Sequence, residues 1–146
     1  MSVGRPVRRP AATALLARRL ALLALFEEEF RPGIATAALE RLALERGVAD
    51  DVRDHAASIV SGVAAHRAEL DARIADEAPA IPVAELGRVE RTILRSALYE
   101  VLYSAATPSG TMRDAVSLAR IYAGDAARRL VNGVLGSVSR SSGGGA

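Results

Sequence analysis

Glu85-Leu-Gly-Arg-Val-Glu-Arg-Thr-Ile-Leu-Arg-Ser-Ala-Leu-Tyr-Glu100 is the stretch whose reading decides the fold. Leu86, Val89, Ile93, Leu94 and Ala97, continued by Val101 and Leu102, recur every three or four residues and form a wide apolar arc, with Arg88, Arg91 and Arg95 on the opposite side. That is a helix over about 85–105 with one face for a core. Glu90 falls inside the arc. It reads either as a first-turn acid favoured by the helix dipole and still wet, or as a half-buried carboxylate that needs a cation, internal or on another protein. Tyr99 and Tyr103, a turn apart on the polar side, read as amphipathic surface residues.

The same logic extends outward from this helix. Others are predicted over about 12–30, 34–46, 50–65, 67–77, 111–123 and 126–138, seven in all, giving an all-α fold. In the first, Leu15, Leu16, Leu20, Leu23, Phe26 and Phe30 fall on one side at helical spacing. Arg31-Pro-Gly33 ends that helix. Gly47 is a candidate C-cap for the second. Asp50 or Asp51 is a candidate N-cap for the third, whose inward residues are Val52, Ala56, Ile59, Val60 and Val63. Thr111 with Asp114 resembles a capping box. Gly124-Asp125 stops the sixth helix, and Asp125 can cap the seventh. Pro79 and Pro82 bracket the best internal boundary, dividing one helical domain, 12–138, into packed halves of about 12–78 and 83–138. Residues 1–11 read as a flexible basic arm and 139–146 as a disordered tail.

Composition narrows the function. The chain has 146 residues, half of them apolar, enough for one core and too many for disorder. Without cysteine there are no disulfides or thiolate metal sites, which suits a reducing cytoplasm. The Leu/Ala-rich segment after Thr13 is interrupted by Arg18 and Arg19, so neither a secretory signal nor a membrane span is predicted. All 19 basic residues are arginine. Residues 1–26 hold five of them and 126–146 three, both without an acid, whereas 27–125 set 11 arginines against 17 acids. Two cationic ends flank an acidic centre. Arginine bias in the genome explains that as well as convergence of both ends on a polyanion, for which a planar guanidinium suits both phosphate and bases.

Candidate sites follow the charge. Arg128 and Arg129 sit in the first turn of the last helix, where they oppose the dipole; they read either as ordinary solvated arginines with screened repulsion or as an anion site with the free N–H groups of the helix start. Asn132-Gly133 lies inside that helix. Glycine there costs about 1 kcal/mol relative to alanine, and close helix packing is the expected compensation, ahead of ligand approach. Glu27-Glu28-Glu29 reads as a solvated helix end or a docking patch for a basic partner. His55 and His66 lack the spacing of a metal site. No phosphate loop, nucleophile elbow or zinc-protease motif is present, so neither catalysis, cofactor nor metal is predicted.

With these residues in view the chain resembles the NusB family of bacterial transcription antitermination factors. The run from Glu85 to Glu100 is similar to that family's most characteristic stretch, and Val131-Asn-Gly-Val-Leu135 to its C-terminal signature. Ala17-Arg18 with Ala21–Phe26, Ser61-Gly62-Val63 and Leu70-Asp71 add to the resemblance, which spans about residues 13–138. It implies seven helices in two subdomains and a cytoplasmic adaptor. Such an adaptor binds boxA-like single-stranded RNA of ribosomal RNA leaders, pairs with the small-subunit ribosomal protein NusE, and joins the RNA polymerase elongation complex with other Nus factors to suppress termination. The RNA residues it implies are Arg18, Phe26 and the segment holding Asp125, Arg128, Arg129 and Asn132. Arg5, Arg8 and Arg9 of the arm stand in for a basic cluster that the family places nearer the first helix. Glu85 and Glu90 match the protein-docking acids, with Arg91 beside them. The chain departs from the family pattern at Thr13–Leu16, at Arg19 where an acid is usual, at Leu130 in place of phenylalanine, and in the loop length at Asp125. A homodimer or divergent paralogue, acting as a protein-interaction module without RNA binding, is the alternative. A methyltransferase that carries such a domain would need an α/β cofactor region, which this sequence lacks.

Overall fold

The computed structural model describes residues 11–143. Among them are six α-helices: α1 (Ala11–Glu28), α2 (Ala35–Arg46), α3 (Asp50–Glu77), α4 (Arg88–Tyr103), α5 (Pro108–Ala123) and α6 (Asp125–Gly143), with a 3-10 turn at Val83–Glu85 ahead of α4. One continuous core takes residues from all six helices, from Ala17 to Val138. No helix among the described residues is long and apolar enough to cross a membrane.

Six helices replace the seven expected because the third and fourth are one. α3 continues through His66, which alone leaves helical geometry (φ −117°, ψ 17°). Neither glycine nor proline stands between Ala65 and Arg67, so the chain bends there without breaking. Where α3 passes α4, Gly62 lies so close to Tyr99 that an added Cβ would sit 2.1 Å from its ring.

Helix ends show why local signals were only partly sufficient. Gly47 ends α2 in the left-handed region (φ 59°, ψ 39°), with Gly47 N–H bonded to Leu44 O and Val48 N–H to Ala43 O, as a glycine C-cap should. Asp50 and Asp51 do not cap α3. The cap position is Ala49, and both acids lie in the first turn, favoured by the dipole. α5 starts at Pro108, three residues before the expected box, because proline's fixed φ suits a first turn. Thr111 and Asp114 are then free for another use, described below. Asp125 opens α6 rather than capping it, after Gly124 at φ 95°. α6 also outruns the expected tail. Ser137 and Ser141 both donate to the Glu77 carboxylate, and the helix continues to Gly143.

Of the six residues on the apolar side of α1, only Leu20 is fully buried; Leu15, Leu16 and Leu23 are half-buried and packed against the core, Phe26 is half-buried and Phe30 is 57% exposed. The buried residues of α1 are alanine-rich: Ala14, Ala17, Ala21 and Ala24, with Leu20, Leu22 and Leu25. Small side chains let α2, α3 and α4 approach α1, so bulk was a misleading guide to direction. The inward set of α3, in contrast, is buried throughout.

Candidate functional site

Three sequence-predicted residues, Asp125, Arg128 and Arg129, meet where α5 turns into α6. Arg128 Nε donates to Asp125 Oδ1 at 2.7 Å, and Arg129 pairs with the other oxygen of the same carboxylate. These contacts, Arg128's hydrogen bond foremost, hold the Asp125 carboxyl below its ordinary range, and the Asp125 carboxylate holds the Arg128 guanidinium above its own. The Arg129 side chain is 65% exposed, and Asn132 is exposed one turn on. Gly133 has no heavy atom within 4 Å of a built Cβ, so helix packing does not compensate for its presence. That face of α6 is open. On the last turn of α5, Arg120, Ile121 and Tyr122 are also exposed; nothing in the helical periodicity had singled them out.

Arg18 points elsewhere. Its guanidinium is inside the molecule, with Nε on Glu100 Oε1 at 2.8 Å, Nη1 on Asp114 Oδ2 at 2.7 Å and Nη2 on Thr111 Oγ1 at 3.0 Å. His55 Nε2 donates to Glu100 Oε2 at 2.9 Å. Burial alone would push the Glu100 carboxyl up; the hydrogen bonds from His55 and Arg18 outweigh it and hold it below the usual carboxylate range. This cluster joins α1, α3, α4 and α5.

Phe26 faces the opposite end of α1. Its ring meets Phe30 edge-on at 5.2 Å, and the Arg88 guanidinium lies 4.6 Å over the Phe30 ring. That places Phe26 beside the start of α4, where the predicted protein-binding residues also stand. Glu85 is exposed in the 3-10 turn. Glu90, in the first turn of α4, curls back so that its carboxylate lies 2.6 Å from where a Cβ on Gly87 would be. Arg91 turns inward to Glu29 and to the carbonyls of Val83, Ala84 and Leu86. Among the described residues no hydrogen bond, ion pair or ring contact joins this group to the α5–α6 turn. Arg5, Arg8 and Arg9 lie outside the described residues.

The acidic triplet is not a solvated end. Glu27 pairs with Arg41, Glu28 accepts from the amides of Gly33 and Ala35 at the start of α2, and the Glu29 side chain, 7% exposed, is shared by Arg91, Arg95 and, at 3.8 Å, Arg67. Arg95, expected on a polar face, is buried and grips Asp71 with two bonds of 2.7 and 2.9 Å. Tyr99 and Tyr103 form a stack with His66, the Tyr103 ring at 3.9 Å and 13°. Among the described residues no three His, Cys, Asp or Glu side chains are placed to share a metal ion.

Comparison with known proteins agrees with the architecture. The NusB family model matches residues 15–140. The transcription antitermination protein NusB of Acidothermus cellulolyticus is 40% identical over 131 residues, covering 88% of this chain and 87% of the relative. That of Dehalococcoides mccartyi is 31% identical over 126 residues, covering 86% and 88%. Among solved structures, a crystal structure of antitermination factors NusB and NusE in complex with dsRNA superposes with a TM-score of 0.81 at 26% identity, covering 89% of this chain and 98% of the other. The solution structure of NusB from Aquifex aeolicus gives 0.74 at 26%, covering 88% of each. The chain therefore belongs to the NusB family.

Proposed function

We propose that this protein is a non-catalytic, cytoplasmic transcription antitermination factor. In this reading it binds boxA-type RNA of nascent ribosomal RNA leaders together with the ribosomal protein NusE, and the pair joins elongating RNA polymerase to suppress termination. The observation that carries the proposal is the likeness, along 89% of the chain, to a NusB crystallised with NusE and dsRNA.

The geometry supports a division of labour between two surfaces. Arg128, Arg129 and Asn132 stand exposed or half-exposed on an open face of α6, where arginines can hold phosphates. Arg5, Arg8 and Arg9 would add charge from the arm. Arg18 serves by positioning, since its guanidinium is committed to Glu100 and Asp114. Among the described residues Glu85 and Glu90 form no hydrogen bond or ion pair, unlike Glu27, Glu28, Glu29, Glu77 and Glu100. Free carboxylates beside Phe26 and Phe30 suit a basic protein partner, with Arg91 holding the 3-10 turn in place.

Titration with boxA-like RNA, with and without NusE and at several salt concentrations, tests this. Tight binding that weakens with salt is expected; no binding in either case overturns the proposal. Arg128→Glu with Arg129→Glu should abolish RNA binding and leave NusE affinity intact. Glu90→Ala should do the reverse.

A further inference from the structure

Single-stranded RNA offers phosphates and flat ring faces, so a complete site needs an exposed aromatic beside its arginines. Phe26 fits poorly: it is half-buried with its ring against Phe30. Tyr99 packs on Gly62, and Tyr103 already stacks on His66. Tyr122 is different. It is 40% exposed, has no ring contact among the described residues, and follows Ile121, itself 51% exposed.

Its place in the chain is fixed by the α5–α6 turn. Gly124 N–H bonds to Arg120 O, and Arg128 N–H bonds to Gly124 O, each at 3.1 Å. The positive φ of Gly124 reverses the chain in one residue. The last turn of α5 is thereby hydrogen-bonded to the first turn of α6, with Tyr122 on one side and Arg128 and Arg129 on the other. Arg120 is close enough for its charge to act on Asp125. Three arginines against one carboxylate leave the turn cationic, and the exposed Tyr122 stands two residues before Gly124.

We propose that Tyr122 is the stacking platform of the RNA site: an unpaired base lies on its ring while Arg128 and Arg129 hold the neighbouring phosphates. This rests on the RNA-binding function proposed above. Stacking is indifferent to salt, whereas each lost phosphate contact lowers the salt slope by about 1. The two contributions are therefore separable.

The test uses the full chain with NusE and boxA-like RNA bearing single 2-aminopurine substitutions. Wild-type protein should quench 2-aminopurine at one position. Tyr122→Phe should bind and quench as wild type. Tyr122→Leu, which keeps apolar bulk, should bind about 5- to 100-fold more weakly with unchanged salt slope and unchanged thermal melt, and should lose the quenching. Wild-type binding without quenching at any position overturns the inference and leaves RNA binding standing. So does Tyr122→Leu binding within twofold of wild type. If the Tyr122→Leu melt falls in step with affinity, the wild-type and Tyr122→Phe quenching decides: quenching in both upholds the inference, and its absence in either overturns it. Absence of RNA binding by the wild-type protein removes both readings. Capture of anionic phosphatidylserine vesicles that is lost in Tyr122→Leu, with RNA binding unmoved, reassigns the patch to a membrane surface and overturns it as well.

Discussion

Arg18 makes more of the fold's internal bonds than any single periodicity could have suggested. Its acceptors Glu100 and Asp114 are 82 and 96 residues away. With side chains 3% and 5% exposed, both would lose their shortest ion pair in Arg18→Ala, leaving Glu100 with His55 and Asp114 with Arg113 at 3.5 Å. Removing one member of a buried ion network costs about 3–5 kcal/mol, and urea denaturation at neutral pH should show a loss of that size. The pH dependence follows from Glu100. Its folded-state carboxyl is held below the unfolded value, near 4.3 for a free glutamate, so its contribution is fully present above that value and is lost as pH falls through the depressed one. Glu100→Gln should flatten the acid limb of a stability–pH curve; an unchanged limb would mean that other carboxylates dominate acid unfolding. Resemblance had read Arg18 as an RNA contact. A surface arginine and a buried one look alike in a chain whose every base is arginine, and only long-range partners tell them apart.

Two glycines with the same helical setting make opposite demands at the scale of elements. At Gly62 a Cβ would strike the Tyr99 ring, which in turn lies 6.0 Å from His66 at the bend of α3. Gly62→Ala gains about 1 kcal/mol of helix propensity but must displace that ring, and overpacking of this kind costs about 1–3 kcal/mol. A lower melting temperature is expected, restored when Tyr99→Leu is added. At Gly133 a Cβ meets nothing, so Gly133→Ala should stabilise the free protein by about 0.5–1 kcal/mol. If RNA passes over this face of α6, the same substitution should weaken RNA binding while raising the melting temperature; equal affinity would move the RNA path off Gly133. Element type was legible because caps, prolines and apolar spacing act locally. Gly47 and the α3 core face are examples. The face of α1 was not, because a helix apolar on nearly every side has no unique inward direction until small alanines decide which neighbours can come close.

Across the whole molecule, the buried charges explain why this should behave as one body rather than as two halves divided at Pro79–Pro82. The Arg18 cluster ties α1 and α3 to α4 and α5. At the other end of α1, Glu29 is shared by Arg67 of α3 and by Arg91 and Arg95 of α4, and Arg95 returns to Asp71 of α3. Glu77 of α3 holds Ser137 and Ser141 of α6. Separating the halves would expose a shared core and leave several desolvated charges without partners at once. A single cooperative transition is therefore expected. The protein provides its own test, since it has no tryptophan and its three tyrosines, Tyr99, Tyr103 and Tyr122, all lie in α4 and α5. Tyrosine fluorescence thus reports the second half and, through Tyr99 and Tyr103 against His66, its packing on α3, while far-UV circular dichroism reports every helix. In urea the two signals should give the same midpoint and the same slope. A fluorescence midpoint displaced from the dichroism midpoint would show that the halves unfold separately and that the bridges through Arg18 and Glu29 are too weak to couple them.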